Sequence, residues 1–284
     1  MKISWHKKLS RTLRGRLRKR ILSRFGIGVC AETYNGVFIT DPGDFVVSRA
    51  LLGRGEYDRA EIEWLLEAIG PSPDTLMIVG VHVGALLVPL ARRAQRVIGF
   101  EPNPPTYKLA RLNLLLNDVT NVTLEHRAVG QSSGAVSIVA NPINTGNATV
   151  RAAEIGDADS VEQISLDDYC SRHAIQTIDL LVIDIEGYEL HALRGADQTL
   201  AHTRTAYIEY APEQLRQHGS DPATLIDLLL PRFNHMYLLD DGVREFTPAE
   251  AQAYLKNLPE RKGLLLDLLL TKDKLTGAAR HPRR

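Results

Sequence analysis

Along residues 75–103, TLMIVGVHVGALLVPLARRAQRVIGFEPN, an apolar run at 76–79 breaks at a turn bracketed by Gly80 and Gly84. A helical segment follows at 85–94, and a second apolar run at 97–100 closes on Glu101. Short continuous apolar runs bounded by glycine and acid are predicted to be strands buried on both faces, and the segment between them is predicted to be a helix. The same alternation recurs downstream. After the Pro102-Asn103-Pro104-Pro105 break, Leu109, Leu112, Leu115 and Leu116 mark a helix, and 122–124 and 136–139 read as strands. A helix opens near 164–169 with Ser165 or Asp167 as its cap. A strong apolar strand at 178–183 closes on Asp184-Ile185-Glu186-Gly187, and a shorter one at 206–210 carries Glu209 near its end. Asp221-Pro222 supplies a cap and first-turn proline for a helix through Leu225, Ile226, Leu229 and Leu230. The last strands fall at 235–239 and 264–270, where Asp267 predicts an edge strand or a partly exposed face. Strands alternating with helices give an α/β, Rossmann-like fold: an open, mostly parallel sheet with helices on both faces.

The first 70 residues differ from this body. Trp5, Leu9, Leu13, Leu17 and Ile21 recur every fourth position, with Leu22 and Phe25 widening the stripe beside a strongly cationic face. Such an arm over 1–28 suits peripheral contact with an anionic membrane through residues 1–24. It equally suits docking on the body or on a second subunit as a homodimer. Between 29 and 70 turn signals at Asn35-Gly36 and Asp41-Pro42-Gly43 indicate a small β-rich lead-in, followed by a helix through Ile62, Leu65, Leu66 and Ile69 that Gly70-Pro71 ends. The main domain spans 71–273 and a polar tail 274–284.

Charge sharpens the partition. The 284 residues carry 34 basic and 34 acidic side chains, but ten of the basic ones lie in 1–31 with no acid among them. The remainder therefore holds 24 basic residues against all 34 acids, a net −10, which excludes general nucleic-acid binding by the body. Cys30 and Cys170 lie 140 positions apart, with no metal-ligand spacing and no disulfide framework, so the expected location is cytoplasmic, with membrane association through the arm. No H-E-x-x-H or C-x-x-C pattern points to a metal, and no G-x-S-x-G elbow to a hydrolase.

Ligands of open α/β sheets sit beyond the strand carboxyl ends. There the sequence places Val79, Gly80, His82 and Gly84; Glu101, Pro102 and Asn103; Arg127, Ala128 and Val129; and Asp184 with Glu186. The glycine spacing is not the pyrophosphate signature and no Walker lysine follows, so a nucleoside ligand without phosphate, S-adenosyl-L-methionine, fits better than a nucleotide. Methyl transfer from a sulfonium needs a positioned hydroxyl and a base within reach of its proton. Asp184 is the first candidate and Glu186 the second; Glu209, Asn144 and Asn147 are candidates for contact with the acceptor.

VIGFEPNP (97–104), ISLDDYC (164–170), IDLLVIDIEGYELHALRGA (178–196) and YIEYAP (207–212) resemble the FkbM-type methyltransferases of the class I S-adenosylmethionine-dependent group, over 56–210. The resemblance implies O-methylation of a sugar, glycolipid or secondary-metabolite hydroxyl, on a seven-stranded sheet whose last strand is antiparallel. It implies that Gly80, His82 and Gly84 face the methionine end of the cofactor, that Glu101 holds its ribose with Val79, Pro102 and Asn103 nearby, that Arg127, Ala128 and Val129 flank adenine, and that Asp184 faces the reaction centre. Three positions depart from the family pattern: Ile78 replaces an acid, His82 an asparagine, and Val182 a lysine. They leave open a second reading, a methyltransferase-like binding or scaffold protein that keeps the fold without the activity.

Overall fold

The computed structural model describes residues 28–41, 44, 46–139, 149–152, 160–240, 242–259 and 261–276. The arm up to residue 27, the loop with Asn144 and Asn147, and the tail from 277 lie outside the described residues.

The described chain opens with a hairpin, β1 (Val29–Thr33) and β2 (Gly36–Thr40), turned at Tyr34-Asn35. Here the lead-in is only half β, because helix α1 (Val47–Arg54) follows, with Asp44 accepting from the Val46 and Ser48 N–H groups (3.1 and 2.8 Å). Helix α2 (Arg59–Ala68) leads into β3 (Thr75–Val79), followed by α3 (Leu87–Ala91), β4 (Arg96–Phe100), α4 (Pro104–Leu116) and β5 (Val122–Glu125). Short strands β6 (Ala128–Val129), β7 (Gly134–Val139), β8 (Thr149–Ala152) and β9 (Ser160–Ile164) form a separate small sheet in the order β6-β9-β7-β8. Next come α5 (Leu166–Arg172), β10 (Ile178–Ile183), α6 (Glu189–Arg194), α7 (Asp197–Ala201), β11 (Thr203–Tyr210), α8 (Pro212–Gln217) and α9 (Pro222–Leu229). The hairpin β12 (His235–Asp240) and β13 (Gly242–Phe246), helix α10 (Pro248–Lys256) and β14 (Leu266–Thr271) complete it.

The main sheet runs β13-β12-β14-β11-β10-β3-β4-β5. Strands β11, β10, β3, β4 and β5 are mutually parallel, and β14 pairs antiparallel with both β11 and β12. This is the expected α/β fold. It has one strand more than the seven implied by the resemblance, because β13 pairs with the outer side of β12. The central strands are buried on both faces, as their continuous apolar runs require. Met77, Val79, Leu181 and Ile183 point into one apolar layer, and Leu76, Ile78, Leu180 and Val182 into the other. From β3 the chain proceeds outward to β4 and later returns to β10 on its other side, so the switch point lies between β3 and β10.

Of the two readings of Asp267, the partly exposed face holds: β14 is interior, Asp267 lies opposite Glu209 on β11, and its exposure is to a cleft. Helix α4 forms as predicted, but Leu112, Leu115 and Leu116 lie on its exposed side, and Ala110, Asn113 and Leu114 on its buried one. The reason is the hairpin. The Asn113 amide pairs with both the N–H and the carbonyl of Ile39, and Asn117 does the same for Val37, so the helix presents amides to an otherwise unpaired strand edge. Of the two proposed caps, Ser165 accepts from the Asp168 N–H at 3.1 Å, while Asp167 caps α7 through the N–H groups of Gln198 and Thr199.

Candidate active site

Beyond Val79 the chain turns through Gly80, His82 and Gly84, all at positive φ (93°, 53° and 89°). Gly80 and Val81 both donate to the Phe100 carbonyl (3.0 and 3.1 Å), and Asp184 donates to the Val79 carbonyl (3.0 Å). A side chain on Gly80 would place its Cβ 1.8 Å from the Asp184 carbonyl oxygen, so the turn is tied to both neighbouring strands at a position only glycine fits. His82 stands in the left-handed region, which histidine, like asparagine, enters more readily than most side chains. The exchange of asparagine for histidine therefore keeps the turn. Burial pushes its imidazole pKa below the usual range, opposed by the Asp44 carboxylate. Ile78 is 1 % exposed, inside the apolar layer with Leu76 and Val182 and outside the cleft lining, so its loss of an acid is a core substitution.

Glu101 closes β4 and is the hub of this half. Its Oε2 accepts from the His82 N–H at 2.6 Å, and its Oε1 from the Asn103 N–H (2.9 Å) and the Thr106 hydroxyl (2.8 Å). Oε2 keeps a lone pair for a further donor, since a carboxylate oxygen accepts twice. Burial raises the carboxyl to about 7 despite these three bonds. Phe100, Pro102, Ala128, Val129 and Ile138 add an apolar shelf, and Arg127 at its end is paired with Glu162 (3.1 Å) and Glu125 (3.4 Å). Asn103 and Gly84 lie outside the lining: the first supports Glu101, and the second shapes the turn.

The opposite wall is acidic and tyrosine-rich. Asp184 stands at the end of β10, open to the cleft. Desolvation, followed by the charges of Glu186, Glu189, Asp267 and Asp58, holds its pKa well above the carboxylate range, although water reaches the side chain from the cleft mouth. Glu186, at φ 56°, accepts from Gln214 Nε2 at 2.6 Å. The role of holding the Asp184–Gly187 turn belongs instead to Glu189, whose Oε1 accepts from the Ile185 and Gly187 N–H groups (3.0 Å each). Glu209 projects from β11 beside Tyr207, and Asp267 faces it from β14. Tyr57, Asp58, Glu61 and Tyr188 complete the wall. Sequence reasoning missed Tyr57, Asp58, Glu61, Tyr188, Tyr207 and Asp267 as site residues: Tyr188 and Tyr207 lie within quoted motifs but received no role there, and the other four follow no motif. The one available signal was Asp267 itself, a carboxylate inside an apolar strand.

Buried acids make the fold pH-sensitive. Burial raises the Glu101 and Glu189 carboxyls to about 7, against 4.5 in an exposed chain. Between those values the folded state keeps protons that the unfolded state releases, so stability falls as pH rises through the window, by roughly 2 kcal/mol per group from pH 5.5 to 8. His82, depressed by burial, contributes a smaller change of opposite sign. Thermal melts are expected to give a Tm several degrees lower at pH 8 than at pH 5.5, with Glu189→Gln removing part of the difference. An equal or higher Tm at pH 8 overturns this account.

The two walls enclose about 290 Å³ at the switch point. With this geometry in hand, the relatives can be compared. The sequence profile of the Methyltransferase FkbM domain matches residues 79–239, more than half of the chain. The chain belongs to the FkbM methyltransferase family. The 2-O-methyltransferase NoeI of Sinorhizobium fredii is 38 % identical over 84 residues, 30 % of this chain and 34 % of that protein. The hexuronic acid methyltransferase AglP of Haloferax volcanii is 28 % identical over 176 residues, 62 % of this chain and 68 % of that protein. The chain thus spans about a third of the first relative and two thirds of the second. Among solved structures, the precorrin-6y C5,15-methyltransferase of Geobacter metallireducens aligns at 11 % identity and a TM-score of 0.43, covering 83 % of this chain and 97 % of that one. S-adenosyl-L-methionine is the methyl donor of the FkbM family, and this family member's cleft fits it. Glu101 keeps a lone pair for a further donor, an apolar shelf lies beside it, and the Asp184 carboxyl stands next to the glycine turn, a donor set that would suit a nucleoside with a cationic end. No helix among the described residues is long and apolar enough to cross a membrane.

Proposed function

We propose that this FkbM-family chain is an O-methyltransferase that moves the methyl of S-adenosyl-L-methionine to a hydroxyl of a sugar, glycolipid or secondary metabolite. One observation carries the reading: the Gly80–Gly84 turn and Glu101 meet Asp184 across a single cleft at the sheet's switch point. The bound cofactor supplies an electrophilic methyl on a cationic sulfur. In this reading the Glu101 carboxylate accepts from the ribose, and Val79, Pro102, Arg127, Ala128 and Val129 bound the nucleoside. Asp184 takes the acceptor's hydroxyl proton, its raised pKa bringing a carboxylate closer to what a base at neutral pH needs. Glu186, held by Gln214, orients the acceptor. Glu209 belongs to the acceptor wall; Asn144 and Asn147 lie outside the described residues.

The scaffold reading draws on Ile78 and His82. Both are accommodated here, the first in the core and the second in a left-handed conformation that histidine, like asparagine, enters readily. Calorimetry with S-adenosylhomocysteine is expected to show binding, and tritium from labelled S-adenosyl-L-methionine is expected in a hydroxylated acceptor. Folded protein that does not bind S-adenosylhomocysteine at millimolar concentration overturns the proposal.

A further inference from the structure

The acceptor half of the cleft carries more negative charge than methyl transfer requires. Asp184, Glu209 and Asp267 stand at one end of three adjacent strands, β10, β11 and β14, and Asp58 and Glu61 face them across the mouth. Arg127 is the single Lys or Arg among the described lining residues, and it lies at the far end, engaged by Glu125 and Glu162. Of the seven lining acids, Glu101 serves the ribose, Asp184 the reacting hydroxyl and Glu186 the acceptor's orientation, which leaves the four carboxyls of Glu209, Asp267, Asp58 and Glu61 without a specific partner in the reaction.

Glu209 gives this charge a direction. Its side chain lines the cleft and is 6 % exposed, yet its Oε2 has no hydrogen-bond partner. Its neighbours each have a tyrosine that lowers a carboxyl raised by burial, Tyr207 for Asp267 and Tyr57 for Asp58. A buried carboxylate oxygen without a donor is costly and calls for one from a ligand. The donor that suits a carboxylate among like charges is a cation, which supplies hydrogen bonds and cancels the repulsion together. No group of three or more His, Cys, Asp or Glu side chains among the described residues is arranged to hold a metal ion, whereas an ammonium needs only acceptors at one side of a hydroxyl.

We propose that the acceptor is a hydroxylated molecule bearing a free ammonium near the methylated hydroxyl, held by Glu209 with Asp267 opposite it on β14. The inference rests on the methyltransferase reading and specifies its acceptor. Burial, and then the charges of Asp184, Glu186, Glu189 and Asp267, keep the Glu209 carboxyl well above the usual range, a cost that a bound ammonium relieves. A uronate is disfavoured by the same wall, because its carboxylate would meet Glu209 and Asp267.

The test uses the full chain saturated with S-adenosylhomocysteine at pH 7.5. Binding of glucosamine, glucose, N-acetylglucosamine, glucuronate and, as a non-sugar amino alcohol, ethanolamine is measured by calorimetry. Glucosamine is expected to bind at least tenfold tighter than glucose or N-acetylglucosamine, and glucuronate more weakly than glucose. Ethanolamine matching glucosamine would assign the site to a small amino alcohol, and ethanolamine well below it to an amino sugar; both support the proposal. Glu209→Gln is expected to reduce the preference for amines to under threefold while leaving S-adenosylhomocysteine affinity within threefold, and Asp267→Asn is the second variant if the first does not fold. Equal binding of glucosamine and glucose, tighter binding of glucuronate, or no binding of either amine overturns the proposal. So does a Glu209→Gln effect confined to S-adenosylhomocysteine, which would assign Glu209 to the cofactor. If S-adenosylhomocysteine itself does not bind, the methyltransferase reading fails separately, and amine preference is read on the same protein alone.

Discussion

Gly80→Ala is expected to abolish cofactor binding, weakening S-adenosylhomocysteine by about 100-fold or more, and to lower stability by roughly 3 kcal/mol. Two costs combine. The backbone at φ 93° is strained for any L side chain, and the new Cβ would lie 1.8 Å from the Asp184 carbonyl oxygen, a main-chain atom that moves only if β10 moves. The displacement therefore reaches the base candidate as well as the turn. Gly84→Ala is the internal control: at φ 89° it is also strained, but its Cβ would meet nothing nearer than 3.9 Å, so it carries the dihedral cost alone, about 1–3 kcal/mol. Calorimetry and thermal melts on both variants separate the effects. A Gly80→Ala protein that binds S-adenosylhomocysteine like the wild type would show that the turn does not hold the cofactor.

Asp184→Asn is expected to lower kcat by about 10²–10⁴-fold, the range of a general base, with S-adenosylhomocysteine affinity changed by less than about threefold. The amide keeps the shape and cannot take the proton. Because crowding by Glu186, Glu189, Asp267 and Asp58 adds to the desolvation that raises Asp184, the wild-type rate is expected to climb with pH until this carboxyl ionises, and the variant to lose that limb. Single-turnover rates across pH measure both. Glu186→Gln is expected to do less, since Glu186 is tied to Gln214 at 2.6 Å and an amide preserves part of that contact. If Asp184→Asn retains kcat within fivefold while Glu186→Gln does not, the two roles exchange.

Much of this was legible in the chain because it depends on local pattern. Runs such as 76–79 and 180–183 are apolar at every position, and only a strand covered on both faces hides them all. The caps at Ser165 and Asp221 follow from side chains that reach their own helix. Where the sequence misled, a distant partner had overridden a local rule. Leucine spacing marked the helix Pro104–Leu116 but not its buried face, which Asn113 and Asn117 set by binding a hairpin more than seventy residues upstream. The motif drew attention to Asp184 and Glu186, but Glu189, three residues on, holds the turn by folding back to Ile185 and Gly187.

The candidate site divides in the same way. The sequence by itself determined where the residues proposed to hold the cofactor lie: glycine turn, Glu101 and Asp184 each follow a strand they terminate, so position along the chain dictates position at the sheet's carboxyl edge. Only the tertiary structure decided the acceptor half. Glu209 was the one member its place near a strand end suggested; Tyr57, Asp58, Glu61, Tyr207 and Asp267 come from α2 and the loop before it, β11 and β14, and Asp267 reaches Glu209 because β14 inserts antiparallel between β11 and β12, which brings the start of one strand level with the end of another. Pairing of that kind is set by packing and register across long stretches of chain, and no local spacing encodes it.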